Sequence, residues 1–356
     1  MLINWQWSRT SFVALMIFLV FILTFPHVVG AQIKITEKQI TDNTTDRNPS
    51  INNKGEVAFT RVDGGTCSLY WYIDGQPLKK VRENTYNDTN PDLLLDGPVI
   101  NNNSQIVWSG YDGSHWQIYS HQNGTTTRIT DGNHNEIGPV TLNNKGDIGW
   151  TRSTTDPPEA GEIYVYLKDG GWIVNYSHDD GTHLNKNPHM NDYGDVVWNR
   201  SQGTTPSLWE VVLCLHTSSQ KKLITNDGKD NIRPRINNNC QIVYESGPVH
   251  PGNIQLYSNG TTTPITTNNN NRSPVINNRG RIVWAGVVTP GELEALFLYK
   301  NGQNTRITEY DITSINRSWG DVNNTTFVKK TKFGLCEGML DPRLYRLQPL
   351  FLLDKN

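Results

Sequence analysis

The chain has 356 residues, with 32 Lys and Arg set against 34 Asp and Glu, for a formal charge of −2. Its basic residues are not clustered, and this near-neutral balance excludes a nucleic-acid binder, which must neutralise rows of phosphates. After the first thirty or so residues, no segment is long and apolar enough to cross a bilayer.

The first 31 residues read as a secretory signal. A lone Arg9 precedes an apolar stretch from Phe12 to Phe25, then Pro26, then Val29-Gly30-Ala31 before Gln32. The small residues suit cleavage after Ala31. The alternative is an uncleaved N-terminal anchor, which would be the chain's only membrane attachment. The mature chain, 32–356, is expected to be exported to a periplasmic, cell-surface or secreted location as a single domain.

The next element is a predicted strand around Ile35 to Thr41. Seven repeats follow: INNKGEVAF from Ile51, INNNSQIVW from Ile100, LNNKGDIGW from Leu142, MNDYGDVVW from Met190, INNNCQIVY from Ile236, INNRGRIVW from Ile276 and a worn VNNTTFVKK from Val322. Their leading asparagines, Asn52, Asn101, Asn143, Asn191, Asn237, Asn277 and Asn323, recur every 40 to 49 residues. That period is the size of one propeller blade. The copy from Pro234 has four short β-branched and aromatic stretches: Pro234 to Asn237, Gln241 to Tyr244, Ile254 to Tyr257 and Pro264 to Thr266. Asn, Gly and Pro separate them, so they read as an antiparallel meander with strands A to D counted outward. Asn-Asn-x-Gly lies between A and B, where positive φ is tolerated.

One position of strand B carries Phe59, Trp108, Trp150, Trp198, Tyr244 and Trp284. Packing between blades is the expected use of these rings. The fold class is therefore all-β, a seven-bladed propeller of four-stranded blades. After the seventh copy the chain offers one further strand, Leu344 to Leu347, so the N-terminal strand is expected to complete the last blade and close the ring.

Four cysteines in an exported chain point to disulfides. The blade order places Cys67 and Cys336 in equivalent B to C loops of neighbouring blades, which predicts a bridge across the closure. Cys214 and Cys240 are the other candidate pair, with free thiols as the alternative for them.

The unit Pro-x-Ile-Asn-x-x-Gly-x-Val-x-Trp, then Ile-Tyr-x-Tyr, then x-Ile-Thr-Asp resembles the TolB-type, WD-like propeller repeat of exported bacterial proteins. In that family the turn is usually Ser-Pro-Asp-Gly, whereas here it is Asn-Asn-x-Gly. The resemblance covers about residues 33 to 349. It implies a propeller platform that binds proteins and carries over no catalytic residue.

The D to A and B to C loops share one face of such a ring, and binding is expected there. The candidate residues are Asp46, Asn48, Asn90, Asn135, Glu136, His183, His189, Arg233, Arg272 and Arg317. These oxygen-rich loops are of the kind that hold Ca²⁺, but none has the spacing of a calcium loop, and Asp and Asn are ordinary turn residues. His178, His183 and His189 fall within twelve residues and could offer imidazoles to a transition metal, without matching any zinc motif. No cofactor is otherwise expected. His183, His189, Arg233 and Arg235 could together serve a propeller lyase acting on acidic polysaccharide, as a base with cations for the uronate carboxylate. Trp116, Trp172 and Trp319 lie outside the repeated aromatic position and read as blade-edge caps or as flat surfaces for sugars. The favoured reading is a binding platform for a protein or glycan of the envelope or exterior. An enzyme and a purely structural surface component are the alternatives.

Overall fold

The computed structural model describes residues 36–43, 45–63, 66–87, 97–154, 160–179, 181–203, 208–218, 220–248, 250–287, 294–307, 326–331 and 334–339. Side chains at 36, 37, 63, 66, 83–87 and 326–339 lie outside that description. All these residues belong to one unit, Ile35–Leu340. The signal segment and the predicted strand at Leu344 to Leu347 fall outside it. No helix among the described residues is long and apolar enough to cross a membrane.

The described strands form six antiparallel sheets. Sheet I contains Asp46–Ile51, Val57–Asp63, Thr66–Tyr72 and Lys79–Asn87, hydrogen-bonded in chain order. Sheet II runs from Val99–Ile100 to Thr125–Arg128, sheet IV from Asp230–Ile236 to Thr261–Pro264, and sheet V from Asn271–Ile276 to Gln303–Arg306, each with four strands in order. Sheet III has eight strands, from Glu136–Leu142 to Lys221–Leu223. Its two meanders are joined by one residue pair, Gly161 with Asn185. Sheet VI has three strands, in the order Thr36–Gln39, Gly334–Met339 and Thr326–Thr331.

The architecture is an all-β propeller, but only four sheets stand alone as four-stranded blades, not the expected seven. The Gly161 to Asn185 pair fuses two meanders into one sheet. The first half of the seventh repeat, 322–325, lies outside the described residues, and its second half falls in the strand Thr326–Thr331. The start and end of the unit do meet, since Thr36–Gln39 pairs antiparallel with Gly334–Met339. Gly334–Met339 pairs antiparallel with Thr326–Thr331, so it is the strand next to the seventh repeat's strand B.

Side chains alternate across each sheet, so each strand B packs on two neighbours. Trp108 of sheet II joins Ala58 and Leu69 of sheet I, while the adjacent Val107 joins Val140, Ile148 and Trp150 of sheet III. Val243 of sheet IV likewise joins Ile276, Ile282 and Trp284 of sheet V. The repeated aromatics are all buried, with Phe59, Trp150 and Trp198 fully so. They are core residues. A buried indole must place its N–H. Trp198 Nε1 donates to Asn185 Oδ1 at 2.8 Å, Trp284 Nε1 to Asn271 Oδ1 at 2.9 Å, and Trp150 Nε1 to Glu136 Oε2. Where the repeat has Tyr244 instead of Trp, the equivalent Asn231 Oδ1 is buried without a partner. Trp198→Phe should therefore cost about 1–3 kcal/mol by orphaning Asn185 Oδ1, measured as a shift in the urea unfolding midpoint.

The Asn-Asn-x-Gly element does more than turn the chain. The first Asn caps its own turn: Asn237 Oδ1 accepts the N–H groups of Asn239 and Gln241, both at 3.0 Å. Its Nδ2 reaches outward to the next sheet. Asn52 donates to the Asn101 carbonyl, Asn101 to that of Asn143, Asn191 to that of Asn237, and Asn237 to that of Asn277, at 3.0 to 3.3 Å. The second residue accepts in return. Asn53 N–H donates to Asn102 Oδ1, Asn102 to Asn144, Asn144 to Asp192, Asp192 to Asn238 and Asn238 to Asn278, at 2.8 to 2.9 Å. The motif is a hydrogen-bonded belt running from sheet to sheet. The chemistry explains the residue types: the first position needs both an amide donor and an acceptor, whereas the second needs only an oxygen and admits Asp192.

The cysteines depart from expectation. Cys67 and Cys336 lie within strands, Thr66–Tyr72 and Gly334–Met339, not in loops. The Cys336 side chain is outside the described residues. Cys214 and Cys240 are free thiols, so the bridge expected between them is not made. Cys214 is buried on a third strand, where burial pushes its thiol up to about 11. Cys240, in an inner turn at φ 55°, points its Sγ to Asp195 Oδ2 at 3.5 Å.

Candidate binding channel

The innermost strands of sheets I to V enclose a channel of about 330 Å³. A residue followed by proline interrupts five of these strands, at Asn48-Pro49, Gly138-Pro139, Asn187-Pro188, Arg233-Pro234 and Ser273-Pro274, with Gly138-Pro139 one residue earlier than the rest, while Gly97-Pro98 lies just before Val99–Ile100. Proline has no N–H for the ladder, so a bulge forms there. The register shifts between Arg47 and Ser50, Ile137 and Thr141, Lys186 and His189, Ile232 and Arg235, and Arg272 and Val275. Asn48, Asn187, Arg233 and Ser273 have φ of 51°, 57°, 54° and 53°. Asparagine accepts this conformation readily, but for arginine and serine it is strained. In sheet II the residue must be glycine, since a Cβ on Gly97 would lie 2.1 Å from Asn48 Cβ.

The strain at Arg233 and Ser273 is held by one carboxylate. Glu245 is fully buried on the strand Ile242–Gly247, directly after the core aromatic Tyr244. Its Oε2 accepts Arg233 Nη1 at 2.8 Å and the Ser273 N–H at 3.2 Å. Its Oε1 accepts His250 Nδ1 at 2.6 Å and the Gly252 N–H at 3.3 Å. His250 Nε2 meets Asp230 Oδ2 at 2.8 Å. Burial opposes the imidazolium, but hydrogen bonds to the two carboxylates overcome it and push His250 up to about 9. Burial would likewise raise Glu245, yet His250 and Arg233 hold it below the usual carboxylate range. Neither Glu245 nor His250 was expected from the sequence. The available signal was a Glu at the position where other repeats place Thr60, Ser109, Thr151, Asn199 and Ala285.

His189, Arg233 and Arg235 all line the channel. His189 Nδ1 accepts the Ile236 N–H at 3.2 Å. Burial, then the positive charge of Arg235, pushes His189 down to about 3. It is therefore neutral. Because a backbone amide can only donate, Nδ1 is unprotonated and the ring proton sits on Nε2.

The other candidates go elsewhere. His183 lies with Nδ1 2.9 Å from the Ser201 carbonyl, and His178 is exposed. Among the described residues no three His, Cys, Asp or Glu side chains gather as metal ligands, so His178, His183 and His189 do not form the metal site considered above. Asp46 and Glu136 are fully buried and ion-paired to Arg61 and Arg152, both at 2.6 Å, and so serve the fold rather than an open face. Asn135 is half-buried in a turn and accepts the Trp116 N–H. Arg272 pairs with Glu294. Asn48 lines the channel. Asn90 and Arg317 lie outside the described residues. Of the extra tryptophans, Trp116 is half-buried and edge-on to Tyr111. Trp172 is 68% exposed, and Trp319 is outside the described residues.

No family model matches this chain, and no curated protein matches it in sequence. Among solved structures it is similar to an oligogalacturonate lyase from Vibrio parahaemolyticus, with TM-score 0.61 and 11% identity over 89% of this chain and 96% of that one. It is also similar to a streptogramin B lyase, with TM-score 0.59 and 12% identity over 87% of this chain and 99% of that one. A putative TolB from Agrobacterium tumefaciens aligns at TM-score 0.45 and 16% identity, over 62% of this chain and 80% of that one. The likenesses to the two lyase structures establish the fold, a β-propeller.

Proposed function

We propose that this chain is an exported seven-bladed propeller that works by binding, engaging a protein or glycan at the end of the channel where the bulges lie. Seven blades are supported by the two meanders within sheet III, joined by a single residue pair, and by the three strands of sheet VI. Export is supported by the apolar N-terminal stretch. The observation that carries the binding reading is the convergence of His189, Arg233 and Arg235 on one channel, with Arg233 held by the buried Glu245 and His189 by the Ile236 N–H. A site built to hold side chains at strained φ is organised before a ligand arrives.

The lyase reading draws on the same convergence and on a neighbour described as an oligogalacturonate lyase. The state of His189 favours binding over that reading, because a ring with Nδ1 occupied and Nε2 protonated donates a hydrogen bond and has no lone pair left to take a proton. The test compares the mature protein with Arg233→Ala in capture of envelope proteins and on a glycan array. A ligand captured by the wild type and lost by a folded Arg233→Ala supports the reading. A ligand retained by the variant, or release of unsaturated product from acidic polysaccharide by the wild type, overturns it.

A further inference from the structure

The fifth repeat departs from its neighbours at one position, and the departure leaves a polar group unpaired. In sheets III and V an indole fixes the amide of the facing Asn, with Trp198 Nε1 donating to Asn185 Oδ1 and Trp284 Nε1 to Asn271 Oδ1. In sheet IV the ring is Tyr244, so nothing donates to Asn231 Oδ1, although Asn231 is fully buried. A side-chain amide keeps its shape when it turns over about its terminal bond, exchanging oxygen for nitrogen. The indole opposes that exchange at Asn185 and Asn271, and Tyr244 permits it at Asn231.

The nitrogen end of the Asn231 amide points into a group of oxygens. Nδ2 stands 2.9 Å from Asp227 Oδ1, 3.1 Å from the Lys229 carbonyl and 3.3 Å from Glu210 Oε2. An NH₂ group has two hydrogens, so these acceptors outnumber them. Glu210, on the strand Trp209–Cys214, is buried, and its partners among the described residues are all neutral: Thr225 Oγ1, Gln202 Nε2 and this amide. Asp227 Oδ1 also accepts the Lys229 N–H at 3.2 Å, which folds the turn around the group. Asp227 Oδ2 lies 3.8 Å from Lys229 Nζ in an exposed pair, which is weak. A buried carboxylate with no cation is costly, and the group as a whole is short of positive charge.

We propose that this group is a Ca²⁺ site, in which Asn231 turns its amide over and binds the ion through Oδ1 together with Asp227, Glu210 and the Lys229 carbonyl. The donors are all oxygens, as a hard cation requires, and the two carboxylates match its charge. Oxygens around a Ca²⁺ bound at about 2.3–2.6 Å stand roughly 3 Å apart, which is the spacing of the Asn231 amide from its neighbours. Water reaching the exposed side of Asp227 completes the shell. Glu210 comes from a strand and the other ligands from the turn into the next, so the turn alone lacks the spacing of a calcium loop. The ion ties the second meander of sheet III to the first strand of sheet IV, two residues before Arg233. The site stands independently of the binding reading above.

Isothermal titration calorimetry of the full mature chain, freed of metal with a chelator, tests this with Ca²⁺ and Mg²⁺. Ca²⁺ is expected to bind with a Kd of about 10⁻⁴–10⁻³ M, as in extracellular modules, and about tenfold or more tighter than Mg²⁺, which demands a stricter octahedral shell. Ca²⁺ at about 10 mM should raise Tm by about 2–6 °C over choline chloride of equal ionic strength. Asp227→Asn, a change at an exposed side chain, should lose about tenfold or more in Ca²⁺ affinity. Tyr244→Trp is the sharper variant. Its indole N–H should hold Asn231 Oδ1 as in sheets III and V, so Ca²⁺ affinity falls about tenfold while Tm in chelator is equal to or above that of the wild type. Thermal melts establish that each variant folds, and Asp227→Asn decides if Tyr244→Trp does not. No Ca²⁺ binding below about 10 mM, Mg²⁺ bound as tightly, or a folded Asp227→Asn with wild-type affinity overturns the site. A folded Tyr244→Trp that binds Ca²⁺ as tightly as the wild type overturns the turned amide, and with it the site drawn around Asn231.

Discussion

Asn237→Ala is expected to destabilise the chain by about 3–5 kcal/mol, read from denaturant unfolding. The side chain is only 2% exposed, and it makes two kinds of bond at once. Its Oδ1 accepts the Asn239 and Gln241 N–H groups, and its Nδ2 donates to Gln241 Oε1 at 2.8 Å and to the Asn277 carbonyl at 3.0 Å. Alanine removes the buried bond between the two sheets and leaves the part-buried Asn239 and Gln241 N–H groups without an acceptor, each at about 1–3 kcal/mol. Asn237→Asp separates the two roles. It keeps the acceptor within the turn and sets a carboxylate oxygen against the Asn277 carbonyl, so it should cost about 2–4 kcal/mol, with the loss falling on the contact between sheets IV and V. At the second position the outcome reverses. Asn102 is half-buried and its Oδ1 accepts the Asn53 N–H, a role that Asp192 fills with a carboxylate two repeats further on. Asn102→Asp should therefore stay within about 0.5 kcal/mol of the wild type. Equal losses at Asn237 and Asn102 would mean that the belt is not what the repeated asparagines provide.

That contrast marks what a single sequence made legible. The period of the repeats, the Asn-Asn-x-Gly turns and the buried ring of Phe59, Trp108, Trp150, Trp198, Tyr244 and Trp284 could be read directly, because each is a local consequence of residue type. The belt could not, since the partner of Asn237 lies 40 residues away and is a backbone carbonyl, a group every residue has. The bulges were half visible. The prolines stand in plain view, but that Arg233 and Ser273 precede them in a left-handed conformation depends on Glu245, which no local rule connects to either. His189, Arg233 and Arg235 are legible in the sequence as a base with cations, and the inner strands bring them to one channel. His183 is the same residue type, but it lies in the bend before the strand Asn185–Met190, against the Ser201 carbonyl. Asp46 and Glu136 looked like loop acids because they begin strands. The arginine fifteen or sixteen residues later in each meander pairs them from the adjacent strand and buries them.

Glu245→Ala should cost about 3–5 kcal/mol, because it takes the carboxylate from Arg233, leaves His250 with Asp230 alone and removes the acceptor of the Ser273 N–H. The pH dependence distinguishes this network from a simple packing loss. His250 is raised above its unfolded value, so the stability it contributes is fully present below about pH 6.5 and is lost as pH rises through about 9. With its side chain 23% exposed, that contribution is about 2 kcal/mol between the two limits. Glu245 and Asp230 are depressed, so their share is present above the ordinary carboxylate range and is lost as pH falls below it. The wild type should thus lose stability on both sides of a plateau near pH 5–6. His250→Gln should remove the alkaline slope while leaving the acid one. Because Glu245 also holds Arg233, the alkaline loss should be accompanied by weaker ligand capture at the channel in the folded protein, whereas Trp198→Phe, which lowers stability without touching the network, should leave capture intact. A wild type whose unfolding free energy is flat from pH 6.5 to 9, or a His250→Gln variant with the same slope as the wild type, would show that His250 carries no charge between its two carboxylates.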